Sequence, residues 1–142
     1  MFLTKKLRAA TLLELITVVI IVGIVASFAV PSFIKTKEHA LGNQAKANLK
    51  LIAAAEKVYR LELNEFYPSS GTVTSTNAIN TNLKLALNEA SWNYSIVGTG
   101  GTAFVAYAQR QNSCSGTYCN CRFTITNLIV DSEPAIDTGV CP

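Results

Sequence analysis

The sequence predicts an α+β protein in which a long N-terminal α-helix packs against a small antiparallel β-sheet. Apolar residues recur at helical spacing through most of residues 10–63, and short strand-like runs follow a break that contains Pro68 and Gly71. The chain of 142 residues has room for one small domain with an appended helix. Its apolar content of 49% and charged content of 15% exclude an intrinsically disordered chain.

The first part of this helix is predicted to cross a membrane. Residues 15–34 contain no charged side chain, and a helix of this length covers the ~30 Å hydrocarbon core of a bilayer. Because Lys5, Lys6 and Arg8 precede the run, a cleaved secretory signal peptide is an alternative, but the run is longer than an ordinary signal core. The dense basic cluster before the run favours a cytoplasmic N-terminus.

The distribution of charge argues against a nucleic-acid-binding surface. The formal net charge is +3, and Lys5, Lys6 and Arg8 account for the whole excess. Affinity for a phosphate backbone depends on the number of cations that a protein presents. The remainder of the chain is neutral, so we do not expect the subunit itself to bind nucleic acid.

Glu14 lies at the edge of the apolar run, with no cation within the following helical turn. Because a charge near hydrocarbon costs about 2 to 3 kcal/mol, such a residue normally has a partner. One interpretation is an acid in the first helical turn that reaches the headgroups and interacts favourably with the helix dipole. The other is a partner created by processing or carried by another chain.

The leader KKLRA and the segment ATLLELITVVIIVGIVASFAVP that follows resemble the N-terminus of type IV prepilins, a family that includes type IV pilins and type II secretion pseudopilins. The resemblance implies that a prepilin peptidase removes residues 1–9 by cutting between Ala9 and Ala10, and that Ala10 is then N-methylated. Glu14 becomes the fifth mature residue, whose carboxylate is expected to pair with the terminal amine of a neighbouring subunit. Family members usually have Gly before the cut and Phe after it, where this chain has two alanines.

The resemblance also implies a structural subunit rather than an enzyme. The chain would be a single-span precursor in the bacterial inner membrane and would then polymerise through residues 10–34 into an extracellular or periplasmic helical filament. The implied partners are other copies of the chain, the prepilin peptidase, the inner-membrane assembly platform and minor pilins. A type IV pilus serving adhesion, motility or DNA uptake is the first function expected. A type II secretion pseudopilin and an anchored binding module that does not polymerise are the alternatives.

Gly23 and Pro31 stand where family helices often have Gly and Pro. Proline removes a backbone donor, and glycine lowers helix propensity by about 1 kcal/mol. We expect the section between these two residues to be the flexible part of the helix. A simple proline kink is compatible with that expectation.

Residues 35–63 are predicted to continue the helix as an amphipathic half. Its apolar positions recur at helical steps: Ile34, Leu41, Ala45, Ile52, Tyr59 and Leu63. Glu38, Glu56 and Glu62 are assigned to the opposite face, together with the basic residues of this half. A charged helix face of this kind is usually exposed to solvent.

Residues 64–142 are predicted to form the head. Residues 69–91 are expected to form a connecting loop with a short helix over residues 82–88. The predicted strands are residues 92–97, 102–109 and 122–130. The sequence GTGGTA, residues 98–103, matches a dinucleotide fingerprint formally, but a strand pattern follows it instead of a helix, so a hairpin turn is predicted.

Four cysteines lie near the C-terminus: Cys114, Cys119, Cys121 and Cys141. An even number in an extracytoplasmic region predicts two disulfide bonds. Since Cys119 and Cys121 are too close in sequence to bridge each other, one is expected to pair with Cys141 and the other with Cys114. Zinc is the competing interpretation, but the spacing C-x4-C-x-C lacks paired C-x2-C knuckles. Family members often tie their C-terminal segment to the sheet by a disulfide.

No cofactor is predicted, and no catalytic residue is assigned. His39 has no nucleophile at a sensible spacing, and no acid, base and nucleophile converge in the sequence. Asp131, Glu133 and Asp137 form an acidic turn that is predicted to be solvated. Calcium binding by these three carboxylates is the lesser alternative, because the pattern matches no fixed calcium motif.

Overall fold

A computed structural model describes residues 11–111, 117–127 and 133–142, apart from the side chain of Pro31. The elements in these ranges are α1 (Leu12–Leu63), β1 (Gly71–Val73), α2 (Thr76–Leu83), β2 (Trp92–Thr99), β3 (Ala103–Arg110), β4 (Arg122–Thr126) and β5 (Ala135–Thr138). The chain divides after Lys37 into an apolar unit and a head unit, Glu38–Pro142. The predicted α+β architecture of a long N-terminal helix and an antiparallel sheet is confirmed.

Both ends of α1 have local causes. At its start the Thr11 hydroxyl accepts a hydrogen bond of 3.2 Å from the backbone N–H of Glu14, which satisfies one of the free donors of the first turn. At its end Asn64 adopts the left-handed conformation, with φ of 62°, and its N–H donates to the Arg60 carbonyl over 2.8 Å. The helix therefore ends at Leu63, as the sequence predicts.

The connection after α1 is more ordered than predicted. It contains strand β1 and helix α2, and α2 covers Thr76–Leu83 instead of the predicted residues 82–88. The Ser75 hydroxyl caps α2 by accepting from the N–H of Ala78 at 3.3 Å, and Lys84 ends it in the left-handed conformation. The prediction was wrong because burial of Ile79 and Leu83 selects this earlier segment.

The head unit contains an antiparallel sheet with strand order β1-β2-β3-β4-β5. The hairpin between β2 and β3 turns at Gly100 and Gly101, both with positive φ, which confirms the predicted turn. Gly98 is needed for close packing, because a Cβ there would lie 1.7 Å from the Pro68 carbonyl oxygen. Strands β1 and β5 were not predicted. Strand β4 ends at Thr126, and residues 128–130 of its predicted extent lie outside the described residues.

The core of the head unit lies between the second half of α1 and one face of the sheet. Alternate residues of the three central strands point inward and meet Ala45, Leu49 and Ile52 of α1, all fully buried. The buried strand residues include Trp92, Tyr94, Ile96, Phe104, Ala106, Ala108, Phe123 and Ile125. Leu49 was not among the recurring apolar positions of the sequence, and two of those positions, Ile34 and Leu63, have side chains that are more than half exposed.

Candidate assembly surface

The apolar unit exposes hydrophobic side chains on every side of α1. From Leu12 to Val30 every described side chain is exposed, from 48% for Ile16 to 77% for Phe28 among the large apolar ones. In the described ranges, α1 is the helix long and apolar enough to cross a membrane. A helix that is apolar all round requires lipid or other helices as its surroundings.

Two hydroxyl groups in the apolar run donate hydrogen bonds within the helix itself. Thr17 donates to the Glu14 carbonyl at 2.9 Å, and Ser27 donates to the Ile24 carbonyl at 2.6 Å. Such bonds remove the cost of placing a free donor in hydrocarbon. The Thr17 and Ser27 side chains are therefore compatible with a membrane interior.

Glu14 lies in the first turn of α1, where a negative charge interacts favourably with the helix dipole. Its side chain is exposed, and across the parts of the chain that the structure describes its carboxylate takes part in no ion pair. The Glu14 carboxylate is therefore accessible to a partner outside the chain. The predicted cleavage and methylation residues, Ala9 and Ala10, lie outside the described residues.

Helix α1 continues through both Gly23 and Pro31. A Cβ at Gly23 would meet no atom within 4 Å, so no contact in the described structure requires glycine there. The flexible section between these residues stays a prediction.

Glu56 is fully buried, contrary to its predicted place on the solvated face of α1. Its Oε2 accepts a hydrogen bond of 2.9 Å from the backbone N–H of Tyr67, whereas its Oε1 is buried with no hydrogen-bond partner. Burial raises the pKa of Glu56 from 4.5 to about 7, although the hydrogen bond from Tyr67 lowers it. The Glu56 carboxyl group therefore holds the segment that follows α1 against the helix. In the sequence, Glu56 lies four residues after Ile52, and this helical spacing was the signal that could have placed it on the buried face.

Glu38 also points inward, where it meets Arg110 at the end of β3. Glu38 Oε1 lies 3.2 Å from an Arg110 nitrogen, and the other terminal nitrogen donates to the Ser91 carbonyl at 2.6 Å. Both side chains are largely buried, and the guanidinium lies 5.7 Å from the centre of the Trp92 ring. Removing one partner of such a pair leaves an uncompensated buried charge. The pair therefore fixes the start of the head half of α1 to the sheet.

The C-terminal segment is tied to the sheet by a disulfide bond between Cys121 and Cys141. This bond is one of the two pairings of Cys141 that the sequence left open. Cys119 is disulfide-bonded as well, and Cys114 lies outside the described residues. Pro142 then packs on α1 at Gly42, where a Cβ would lie 2.9 Å from the proline Cγ.

The two described carboxylates of the acidic turn form ion pairs with basic side chains. Glu133 pairs with Lys50 at 2.6 Å, and Asp137 pairs with Arg122. Asp131 lies outside the described residues, and no set of three His, Cys, Asp or Glu in the described ranges is placed to hold a metal ion. The calcium alternative stays a prediction. His39 is exposed on α1.

Curated relatives of the chain include a type IV pilin and components of type II secretion systems. The chain is 41% identical over 59 residues to the type IV major pilin protein PilA of Myxococcus xanthus, which covers 42% of this chain and 27% of that protein. It is 36% identical over 67 residues to the type II secretion system core protein G of Escherichia coli, covering 47% and 46% of the two chains. The chain resembles type IV pilins and type II secretion pseudopilins. The resemblance predicted from its N-terminal residues is thereby confirmed.

A core protein G from Pseudomonas aeruginosa is 42% identical over 60 residues, or 42% of each chain. The chain thus spans between about a quarter and just under half of the length of these curated relatives. Their names describe a pilin and secretion-system components rather than enzymes. No protein-family model matches the chain, and no solved structure matches it.

Proposed function

We propose that the chain is a structural subunit of a type IV pilus that polymerises through α1 and serves adhesion, motility or DNA uptake. The observation that carries this proposal is the exposed apolar surface on all sides of the first half of α1, in a chain whose second half of α1 is packed in a folded head. Twenty uncharged and mostly apolar residues that leave the lipid need an equally dry surface. The corresponding helices of other copies supply that surface in a filament.

Processing precedes polymerisation in this proposal. A prepilin peptidase cuts between Ala9 and Ala10 of the inner-membrane precursor, and Ala10 becomes N-methylated. The carboxylate of Glu14 then pairs with the terminal amine of a neighbouring subunit. The assembly platform and minor pilins act as further partners, and the filament lies outside the cell or in the periplasm.

A type II secretion pseudopilin is the second candidate. It is favoured by the similarity to core protein G from several bacteria. Deletion of the gene distinguishes the two functions. Loss of surface filaments with normal protein secretion supports the pilus, whereas loss of secretion with no effect on surface filaments supports the pseudopilin.

The Glu14→Ala variant tests polymerisation through α1. We expect membrane insertion to continue and sheared surface filaments to disappear, because the variant removes the carboxylate that pairs with the neighbouring terminus. Glu89→Ala is the matched control, since Glu89 is an exposed head carboxylate and its loss should leave filaments intact. Normal filament yield from Glu14→Ala would contradict the proposed pairing.

Intact-mass and N-terminal peptide mass spectrometry of sheared protein tests the processing steps. We expect a chain that begins at N-methylated Ala10 and is about four mass units lighter than the reduced form, because two disulfide bonds remove four hydrogens. A chain that still begins at Met1 and is found only in membranes would favour the anchored module that does not polymerise.

A further inference from the structure

A second stripe of uncharged side chains, all of them apolar except Gln44, runs along the head half of α1, on the side facing away from the sheet. It consists of Ala40, Gln44, Ala47, Leu51, Ala54, Val58 and Leu61, which we call the α1 seam. Every member is exposed, and the three large apolar ones are 47%, 56% and 87% exposed, in chain order. The residues of α1 that fill the core are a different set, so the seam is not needed to build the head.

The spacing along the α1 seam alternates between four and three residues over its whole length. This is the a and d pattern of a heptad repeat, sustained here for three heptads. Its average period of 3.5 residues keeps a narrow stripe facing one partner helix. The pattern therefore specifies a helix as the occupant of the seam.

The charges beside the seam fit a second copy of α1 in parallel orientation as the partner helix. With Leu51 and Val58 at a positions, Lys57 occupies a g position and Glu62 an e position. In a parallel pair the g residue of one helix lies beside the e residue five positions later on the other, which brings Lys57 of one copy to Glu62 of the second. In the described ranges Lys57 has no ion pair, and Glu62 has only an exposed contact of 3.6 Å with Lys84.

The surface beside the seam has room for the side chains of a second helix. A groove of about 260 Å³ lies on the Glu62 side, between α1 and α2, and Leu51, Ala54 and Val58 form part of its wall. A larger groove of about 660 Å³ lies on the Lys57 side, and Ala54 and Leu61 form part of its wall. The seam is thus a ridge between two grooves, and its small Ala54 allows two backbones to approach closely.

We propose that two copies of the chain pair in parallel and in register through the α1 seam while both are held in the membrane. The inference rests on the proposed single-span precursor. Identical apolar runs hold two copies at the same depth and in the same orientation, which is the alignment that the g and e charges require. Subunits of a helical filament are displaced along its axis, so the in-register pair belongs to the membrane-stored state.

Cysteine crosslinking of the full-length chain in native membranes tests the pairing. Ala54→Cys and Ala47→Cys each place a thiol at a d position, where the same residue of a parallel partner is closest. We expect mild oxidation to convert both variants into a species of twice the chain mass on a non-reducing gel. Ser70→Cys is the matched control, because Ser70 is exposed and lies outside α1, and it should remain monomeric.

Absence of the dimer in both seam variants would overturn the proposal, as would equal dimer yield from Ser70→Cys. A crosslinked product of any other mass would also overturn it, because the occupant would then be a different protein. Sheared filaments are measured in the unmodified strain. Filaments without seam crosslinks would refute only the pairing, and crosslinks without filaments would refute only the proposed pilus.

A charge exchange tests the orientation in the Ala54→Cys background. Lys57→Glu and Glu62→Lys each create a like-charge contact between the copies, so each should lower the crosslinking yield by about twofold to fivefold. The double variant restores opposite charges and should recover the yield. An unchanged yield in both single variants would contradict the parallel register.

Discussion

The two halves of α1 have the same backbone conformation and opposite environments. Up to Val30 every described side chain of the apolar unit is exposed, whereas Ala45, Leu49 and Ile52 of the head half are fully buried. Most helical stability in proteins comes from packing of an apolar face rather than from helix propensity. One helix is thus stabilised by two kinds of packing, one against its own head and one against surroundings outside the chain.

The polar side chains of the two halves of α1 also differ in the partners to which they bind. In the apolar unit Thr17 and Ser27 donate to carbonyls of the preceding turn. In the head half Glu38 and Glu56 reach across to Arg110 and to the N–H of Tyr67. Polar contacts within the helix leave the first half free to change neighbours. Contacts between elements hold the second half in one place.

The same substitution should destabilise the head strongly in one half of α1 and hardly at all in the other. Ile52→Ala should lower the free energy of unfolding of the head by about 2 to 5 kcal/mol, because it leaves a cavity at a fully buried site. Ile20→Ala removes the same atoms from a side chain that is 56% exposed and should change head unfolding by less than about 0.5 kcal/mol. Urea unfolding of the full chain in detergent, followed by Trp92 fluorescence, measures both. Equal losses would contradict the division of α1.

The pH dependence of stability tests the buried carboxyl group of the head half. Glu56 lies beyond the apolar run of residues 15–34, and burial raises its pKa from 4.5 to about 7 in the folded state. Its proton is thus bound more tightly in the folded chain than in the unfolded one. The stability from this group is fully present below pH 4.5 and is lost as the pH rises to about 7.

The wild-type chain should therefore lose on the order of 2 to 3 kcal/mol of stability between pH 4.5 and pH 8 as Glu56 ionises, and Glu56→Gln should not show this loss. The amide oxygen of the variant can still accept from Tyr67. Urea unfolding at several pH values measures the difference, and Glu89→Gln is the exposed control. If the free energy of unfolding depended on pH equally in the wild-type chain and in Glu56→Gln, Glu56 would not titrate in this range.

Alanine substitutions at the two helical glycines should change the stability of α1 only slightly and to different extents. Gly23→Ala adds a methyl group where no atom lies within 4 Å, so the helix should gain about 1 kcal/mol, or roughly fivefold slower local amide exchange. Gly42→Ala should gain less, because the new Cβ would lie 2.9 Å from Cγ of Pro142. Hydrogen exchange of the full chain in micelles compares them. A larger gain at Gly42 would contradict the packing of the C-terminus on α1.

The sequence predicted the elements whose pattern is strong and local. The long helix, the three central strands and the turn at Gly100 and Gly101 were all predicted, because periodicity and turn residues are visible in short windows. Strands β1 and β5 were missed, since three or four residues carry too little pattern. Helix α2 was misplaced because burial of Ile79 and Leu83 decides between adjacent segments.

From the amino-acid sequence alone it was possible to conclude that an uncharged run precedes an amphipathic helix and a β-rich region, and that Glu14 lies at the edge of that run. Composition and order along the chain are sufficient for those conclusions. The inward direction of Glu38 and Glu56 and the outward direction of the α1 seam became evident from the packing of the folded chain. Each face of α1 is defined by what packs against it, and those neighbours are distant in sequence.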